Sequence, residues 1–165
     1  MTGVVTRGSA VQQQVEPTVS VDFEVQDLLS HLLRRAHFYA ETEFTSAYEG
    51  IDATSRQLAL LFTINRMPGA NQTDLAHAVG VDANTLSDLA KRSERKGLLR
   101  RQRSKNDQRA LGLYLTEAGR QLVADAAALT PAYQKQLARK LSEAEAGQLV
   151  RLLNKMLGLG RHQGC

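Results

Sequence analysis

The feature that most constrains this chain is the block NQTDLAHAVGVDANTLSDLAKRSERKGLLRR, Asn71 to Arg101. A short helix is expected from about Gln72 to Val79, a turn at Gly80, and a second helix capped by Asp82 and running to about Lys96, where Gly97 ends it. Two short helices joined by a glycine turn are the sequence form of a helix-turn-helix. Leu98 to Arg103 and Ala110 to Leu115 then read as two strands around a polar turn, Ser104 to Gln108, with Leu111, Leu113 and Leu115 alternating onto one face. A hairpin directly after a helix-turn-helix is a wing.

Charge follows the same block. From Lys91 to Arg109 there are nine basic residues against two acidic ones, Glu94 and Asp107. That net of +7 leaves −3 for the rest of a chain whose total is +4. A basic stretch on a slightly acidic body is the footprint of a polyanion-binding surface, although charge alone also fits a solvated face.

Longer helices flank the block. Val25, Leu28, Leu29, Leu32, Leu33, Ala36, Ala40, Phe44 and Ala47 recur at steps of three and four, with Asp22 as cap and Gly50 as stop. Thr54 or Ser55 caps a second helix that Met67-Pro68-Gly69 ends. Thr116 caps a long helix that Pro131 should bend or end in its first part. Ser142 and Glu145 form a capping box before the apolar stripe Leu149, Leu152, Leu153, Met156 and Leu157. The expected organisation is a mobile tail over 1–20, dimerisation helices over 22–50 and 116–158, a DNA-binding lobe over 54–115 and a short mobile tail over 159–165. The terminal helices carry more apolar residues than one thin subunit covers, which predicts an isologous homodimer.

These elements, in order and at these spacings, resemble the MarR family of bacterial regulators over about Val25 to Leu157. The segments that carry the likeness are QTDLAHAVGVDANTLSDLAKRSERKGLLRR and NDQRALGLYLTEAG. The resemblance implies a mainly α fold with a small β wing (α+β): a winged helix-turn-helix within an interlocked helical homodimer. It implies a DNA-binding regulator, usually a repressor, released from its operator by a small molecule such as a phenolic or aromatic acid.

In that frame the second helix of the motif divides cleanly. Leu86, Leu89, Ala90 and Ser93 face a core, and Asn84, Thr85, Asp88, Lys91, Arg92 and Arg95 face outward. Asn84, Thr85 and Asp88, nearest the N-terminus, suit base edges: an amide for adenine, a methyl for thymine, a carboxylate for cytosine. Capping and plain solvation are the competing roles. Lys91, Arg92 and Arg95 suit phosphates. Gln72 and Thr73 open the preceding helix, where capping and a phosphate contact are expected. Arg103, Lys105 and Arg109 surround the wing turn. By resemblance Arg109 enters the minor groove and Asp107 orients it, against the alternative of a surface ion pair.

The switch is expected to be organic. The one cysteine, Cys165, is the last residue, which leaves no intrachain disulfide or cysteine-based metal site. His31, His37, His77 and His162 include no pair at an i, i+4 ligand spacing, so no metal and no cofactor is expected. Arg34, Arg35, His37, Phe38 and Phe44 on the first helix suit an aromatic carboxylate, with the two arginines equally suited to the phosphates of a CoA thioester. Solvated arginines and a core-edge histidine are the plainer alternative. The segment LLRRAHF also resembles regulators of aromatic-acid degradation. No nucleophile–base pair, phosphate loop or carboxylate dyad points to an enzyme. An architectural DNA protein without a ligand is the remaining alternative. No apolar run reaches the roughly 18 residues that span a bilayer, and the N-terminus lacks a signal-peptide core, so the cytoplasm is the expected compartment.

Overall fold

A reciprocal cap starts the helix at the centre of the lobe. The Thr54 hydroxyl accepts from the Gln57 N–H, and the Gln57 side chain accepts from the Thr54 N–H. Fixing both ends of this exchange holds Gln57 itself in the core, where it is buried despite its amide. The computed structural model describes residues 19–103 and 111–159. The helices are α1 (Leu29–Ala47), α2 (Ser55–Arg66), α3 (Gln72–Val79), α4 (Ala83–Arg95), α5 (Glu117–Leu137) and α6 (Glu143–Met156). Strands β1 (Leu99–Arg103) and β2 (Leu111–Leu115) pair antiparallel, Leu99 opposite Leu115 and Arg103 opposite Leu111.

The chain divides into two units, and α1 runs through the boundary between Arg35 and Ala36. Among the described residues of the first unit, one 3-10 turn, Val25–Asp27, precedes α1. The helix expected to be capped by Asp22 therefore begins six residues late, at Leu29: Leu28 is extended, and Val25 stays exposed. The three-four spacing was real, but among the described residues of this unit no side chain is buried.

In the second unit, α2 packs against α3, α4, α5 and β2. Leu60, Leu61, Ile64, Leu75, Leu86 and Leu113 are fully enclosed and form one core with Leu99, Val123 and Ala126. Gly80 ends α3 in the left-handed region (φ 76°), the conformation that lets the chain turn within two residues into Asp82 and α4. Gly119 is required for space: a Cβ there would run into the Leu98 carbonyl, so α5 passes directly over the entry to the wing.

Two expectations change. Pro131 does not end its helix, since α5 continues from Glu117 to Leu137 through it. Pro131 and Ala127 both face solvent, so water can take the carbonyl that loses its intrahelical partner. Leu111 does not join Leu113 and Leu115 in the core; it is exposed, because the hairpin runs outward past the last enclosing helix. The polar turn Ser104–Gln108 and most of both tails lie outside the described residues.

Candidate nucleic-acid interface

The interface begins at the cap of α4. Asp82 accepts from the backbone N–H of Asn84 (2.9 Å) and of Thr85 (3.0 Å), and the Thr85 hydroxyl donates to its other oxygen at 2.5 Å. The Thr85 hydroxyl holds the Asp82 carboxyl below the usual carboxylate range, with help from the Thr85 N–H. Thr85 is thus committed to the cap through its hydroxyl, and its methyl is the part left for a thymine.

Beyond the cap, α4 separates as expected. Leu86, Leu89, Ala90 and Ser93 are buried, and Asn84, Asp88, Lys91, Arg92 and Arg95 are exposed along one stripe. Asp88 and Lys91 stand 4.0 Å apart at the surface, an arrangement weak enough for either to turn to another partner. On α3 the cap is Asn71, which sequence reasoning passed over in favour of its neighbours. Asn71 accepts from the Asp74 N–H and donates through Nδ2 to the Asp74 carboxylate, both at 2.9 Å. Gln72 and Thr73 occupy the first turn, the one half-buried and the other exposed. Their expected capping role is corrected, while a place at a helix N-terminus remains. Arg103 closes β1 and is exposed. Lys105, Asp107 and Arg109 lie outside the described residues.

Two contacts on the wing went unforeseen. Arg100 lies over the Tyr114 ring, 5.6 Å from its centre. Arg101 reaches back to Glu94 on α4 with its Nε 3.1 Å from the carboxylate. The register rule could have found the second, since Arg101 shares a face with Leu99, which points at α4.

A cavity of about 410 Å³ lies beside α4. Thr85, Asp88, Leu89 and Arg92 of α4 form one wall, and Glu41 of α1 with Thr54, Ser55 and Arg56 form the other. The Ser55 hydroxyl donates to Glu41 at 2.6 Å, which joins the two elements of that second wall. The residues expected to hold an effector are placed otherwise. His37 and Phe38 are exposed with their rings 5.9 Å apart, and Phe44 stacks on Tyr48 with centroids 4.4 Å apart. None of these three lines the cavity. In the first unit, Arg34 and Arg35 are exposed, and Arg34 donates to His31 at 3.0 Å. Among the described residues no group of three metal-ligating side chains converges, and no helix is long and apolar enough to cross a membrane.

The family match falls on the same lobe: the MarR family model matches residues 53–111. A protein of Thauera aromatica named for regulation of the hcr operon is 30% identical over 125 residues, covering 75% of each chain. The chain belongs to the MarR family. As a member it is a DNA-binding transcriptional regulator and not an enzyme. The repressor CouR, solved on a 23-mer DNA duplex, is 26% identical with a TM-score of 0.75, covering 85% of this chain and 99% of that one. BpsR of Bordetella bronchiseptica, whose DNA binding is regulated by 6-hydroxynicotinic acid, shares the fold at 24% identity and a TM-score of 0.77, covering 82% and 97%.

Proposed function

We propose that this MarR-family regulator is a homodimeric repressor, released from an inverted-repeat operator by a small aromatic carboxylate. The observation that carries the reading is the double use of α4. Thr85, Asp88 and Arg92 stand on the helix expected to enter the major groove, and the same three side chains line the 410 Å³ cavity. A ring seated there with its carboxylate on Arg92 or Arg56 would withdraw groups from DNA. A hundredfold loss of operator affinity needs about 2.7 kcal/mol of coupling, which one forked salt bridge and one buried ring can supply.

On the DNA side, Asn84, the Thr85 methyl and Asp88 read bases. Gln72, Thr73, Lys91, Arg92, Arg95, Arg103 and Lys105 hold phosphates, and Arg109, oriented by Asp107, enters the minor groove. The dimer reading is supported by α6, which buries none of its residues and leaves Leu149, Val150, Leu152 and Met156 exposed.

A second seat for the effector is the part of α1 in the first unit that carries Arg34 and Arg35. Its two adjacent exposed arginines favour the phosphates of an acyl-CoA thioester. The fold accommodates such a ligand, since CouR of Rhodococcus jostii RHA1 has been solved with p-coumaroyl-CoA (23% identity, TM-score 0.71, covering 81% of this chain and 94% of that one). A titration of the protein–duplex complex with hydroxybenzoates and with their CoA thioesters separates the seats. Arg56→Ala should abolish release by free acids if the cavity is used, and Arg34→Ala should abolish release by thioesters if α1 is used. If neither ligand class lowers affinity, the protein binds DNA without an effector of this kind and the repressor-release reading fails.

A further inference from the structure

Glu94 is the one acidic residue between Lys91 and Arg103, in the part of the chain most committed to binding a polyanion. On charge alone it should weaken DNA binding. Its surroundings give it another use. Its carboxylate meets Nε of Arg101 at 3.1 Å, and the Arg101 side chain is only 24% exposed. Nε and Nη2 of that guanidinium are shut off from solvent, and the approach of Nε to Glu94 is an ion pair without hydrogen-bond geometry among the described residues. A cation held this far from water interacts with its counter-charge more strongly than the open Asp88–Lys91 pair, whose side chains are both more than 60% exposed.

The pair also sits on the strand that is less tied to the rest of the lobe among the described residues. Strand β2 is tied to the α2–α3 turn through the backbone: the Gly69 N–H donates to Leu113 O at 2.9 Å, and the Leu113 N–H donates to Ala70 O at 3.1 Å. Strand β1 leaves α4 at Gly97, and its last backbone bond to the helix is the Leu98 N–H to Ser93 O, at 2.9 Å. Farther out, at Arg101, the Glu94 pair adds a side-chain link between β1 and α4 to the packing of Leu98 and Leu99 in the core.

We propose that Glu94 and Arg101 are a positioning pair that fixes the angle between wing and recognition helix, so that an acidic residue inside the basic stretch strengthens DNA binding. The inference rests on the DNA reading above and concerns the flanks that the wing would reach. Removing a negative charge from a polyanion-binding surface ordinarily tightens binding. Loss of a positioning pair does the reverse, which gives the test opposite signs for the two explanations.

The probe is a duplex selected from a random library by the wild-type protein, used as selected and with its A·T-rich flanks replaced by G·C. Glu94→Gln keeps the shape of the side chain. It should weaken binding to the selected duplex about fivefold and leave the flank-replaced duplex nearly unaffected. The exchange Glu94→Arg with Arg101→Glu should restore flank discrimination that either single change removes. Equal or tighter binding by Glu94→Gln, or an equal loss on both duplexes, or no recovery in the exchange, overturns the positioning role. A wild-type protein that selects no duplex would instead sink the DNA reading itself.

Discussion

Helices α4 and α6 are built alike and placed differently. Both are amphipathic, and both start at a side-chain cap, Asp82 in one and the Ser142–Glu145 box in the other. Helix α4 buries Leu86, Leu89, Ala90 and Ser93 within its own chain and leaves a polar stripe outside. Helix α6 buries nothing and leaves Leu149, Val150, Leu152 and Met156 in solvent. The cleft of about 800 Å³ between it and the end of α5 is lined by further leucines, among them Leu137, Leu141 and Leu153. Amphipathicity therefore says that a helix has a partner, and burial says whether that partner lies in the same chain. For α4 the apolar face is already used, so its remaining function is polar. For α6 the apolar face is still open, which suits a second copy.

The sharpest way to break this contrast is to damage each apolar face. Leu86 is fully buried, so Leu86→Ala should cost about 3 kcal/mol and abolish DNA binding through loss of the lobe, read by denaturant unfolding. Leu152 is 55% exposed in the single chain, so Leu152→Lys should leave the lobe folded. In light scattering it should weaken self-association by about 2 kcal/mol. If Leu152→Lys unfolds the lobe, or leaves association untouched, the contrast between the helices is wrong.

A smaller effect sharpens the likeness between them. The Thr85 hydroxyl lowers the pKa of Asp82, and the Ser142 hydroxyl and N–H lower that of Glu145. Glu43 is lowered in the same direction, chiefly by the hydrogen bond from Arg139 at 2.7 Å that ties α1 to the end of α5. A carboxylate with a depressed folded pKa stabilises the fold fully above its unfolded value, near 4, and loses that contribution as pH falls through the folded value. Helicity by circular dichroism should hold from neutral pH to about 5 and fall below about 4. Glu43→Gln should flatten that acid limb, and an unchanged limb would remove the ion pair from the account.

Much of this was legible in residues alone, for physical reasons that differ by region. The two faces of α4 could be read because every apolar position finds its partner inside the same lobe, and period and burial then coincide. The caps at Thr54, Asp82, Thr116 and Ser142 could be read because they depend on neighbours three residues away. The start of α1 could not, since Val25 and Leu28 keep helical spacing although neither is buried among the described residues of their unit. Of the two outcomes open at Pro131, a bend or an end, the end is excluded, and the choice could not be read because the cost of proline depends on whether the orphaned carbonyl faces water. The cavity beside Arg92 joins residues from different elements, so no local pattern announces it, and the Glu94–Arg101 pair is hinted at only by the strand period that puts Arg101 on the face of Leu99.

The central claim is that the exposed stripe of α4 is a DNA surface in which Lys91 meets a phosphate. The direct measurement is the dependence of duplex affinity on salt, for the wild-type protein and for Lys91→Ala. A lost phosphate contact should lower the slope of log affinity against log salt by about 0.9 and weaken all sequences alike, leaving their ranking unchanged. An unchanged slope, or a loss confined to particular sequences, would contradict the claim.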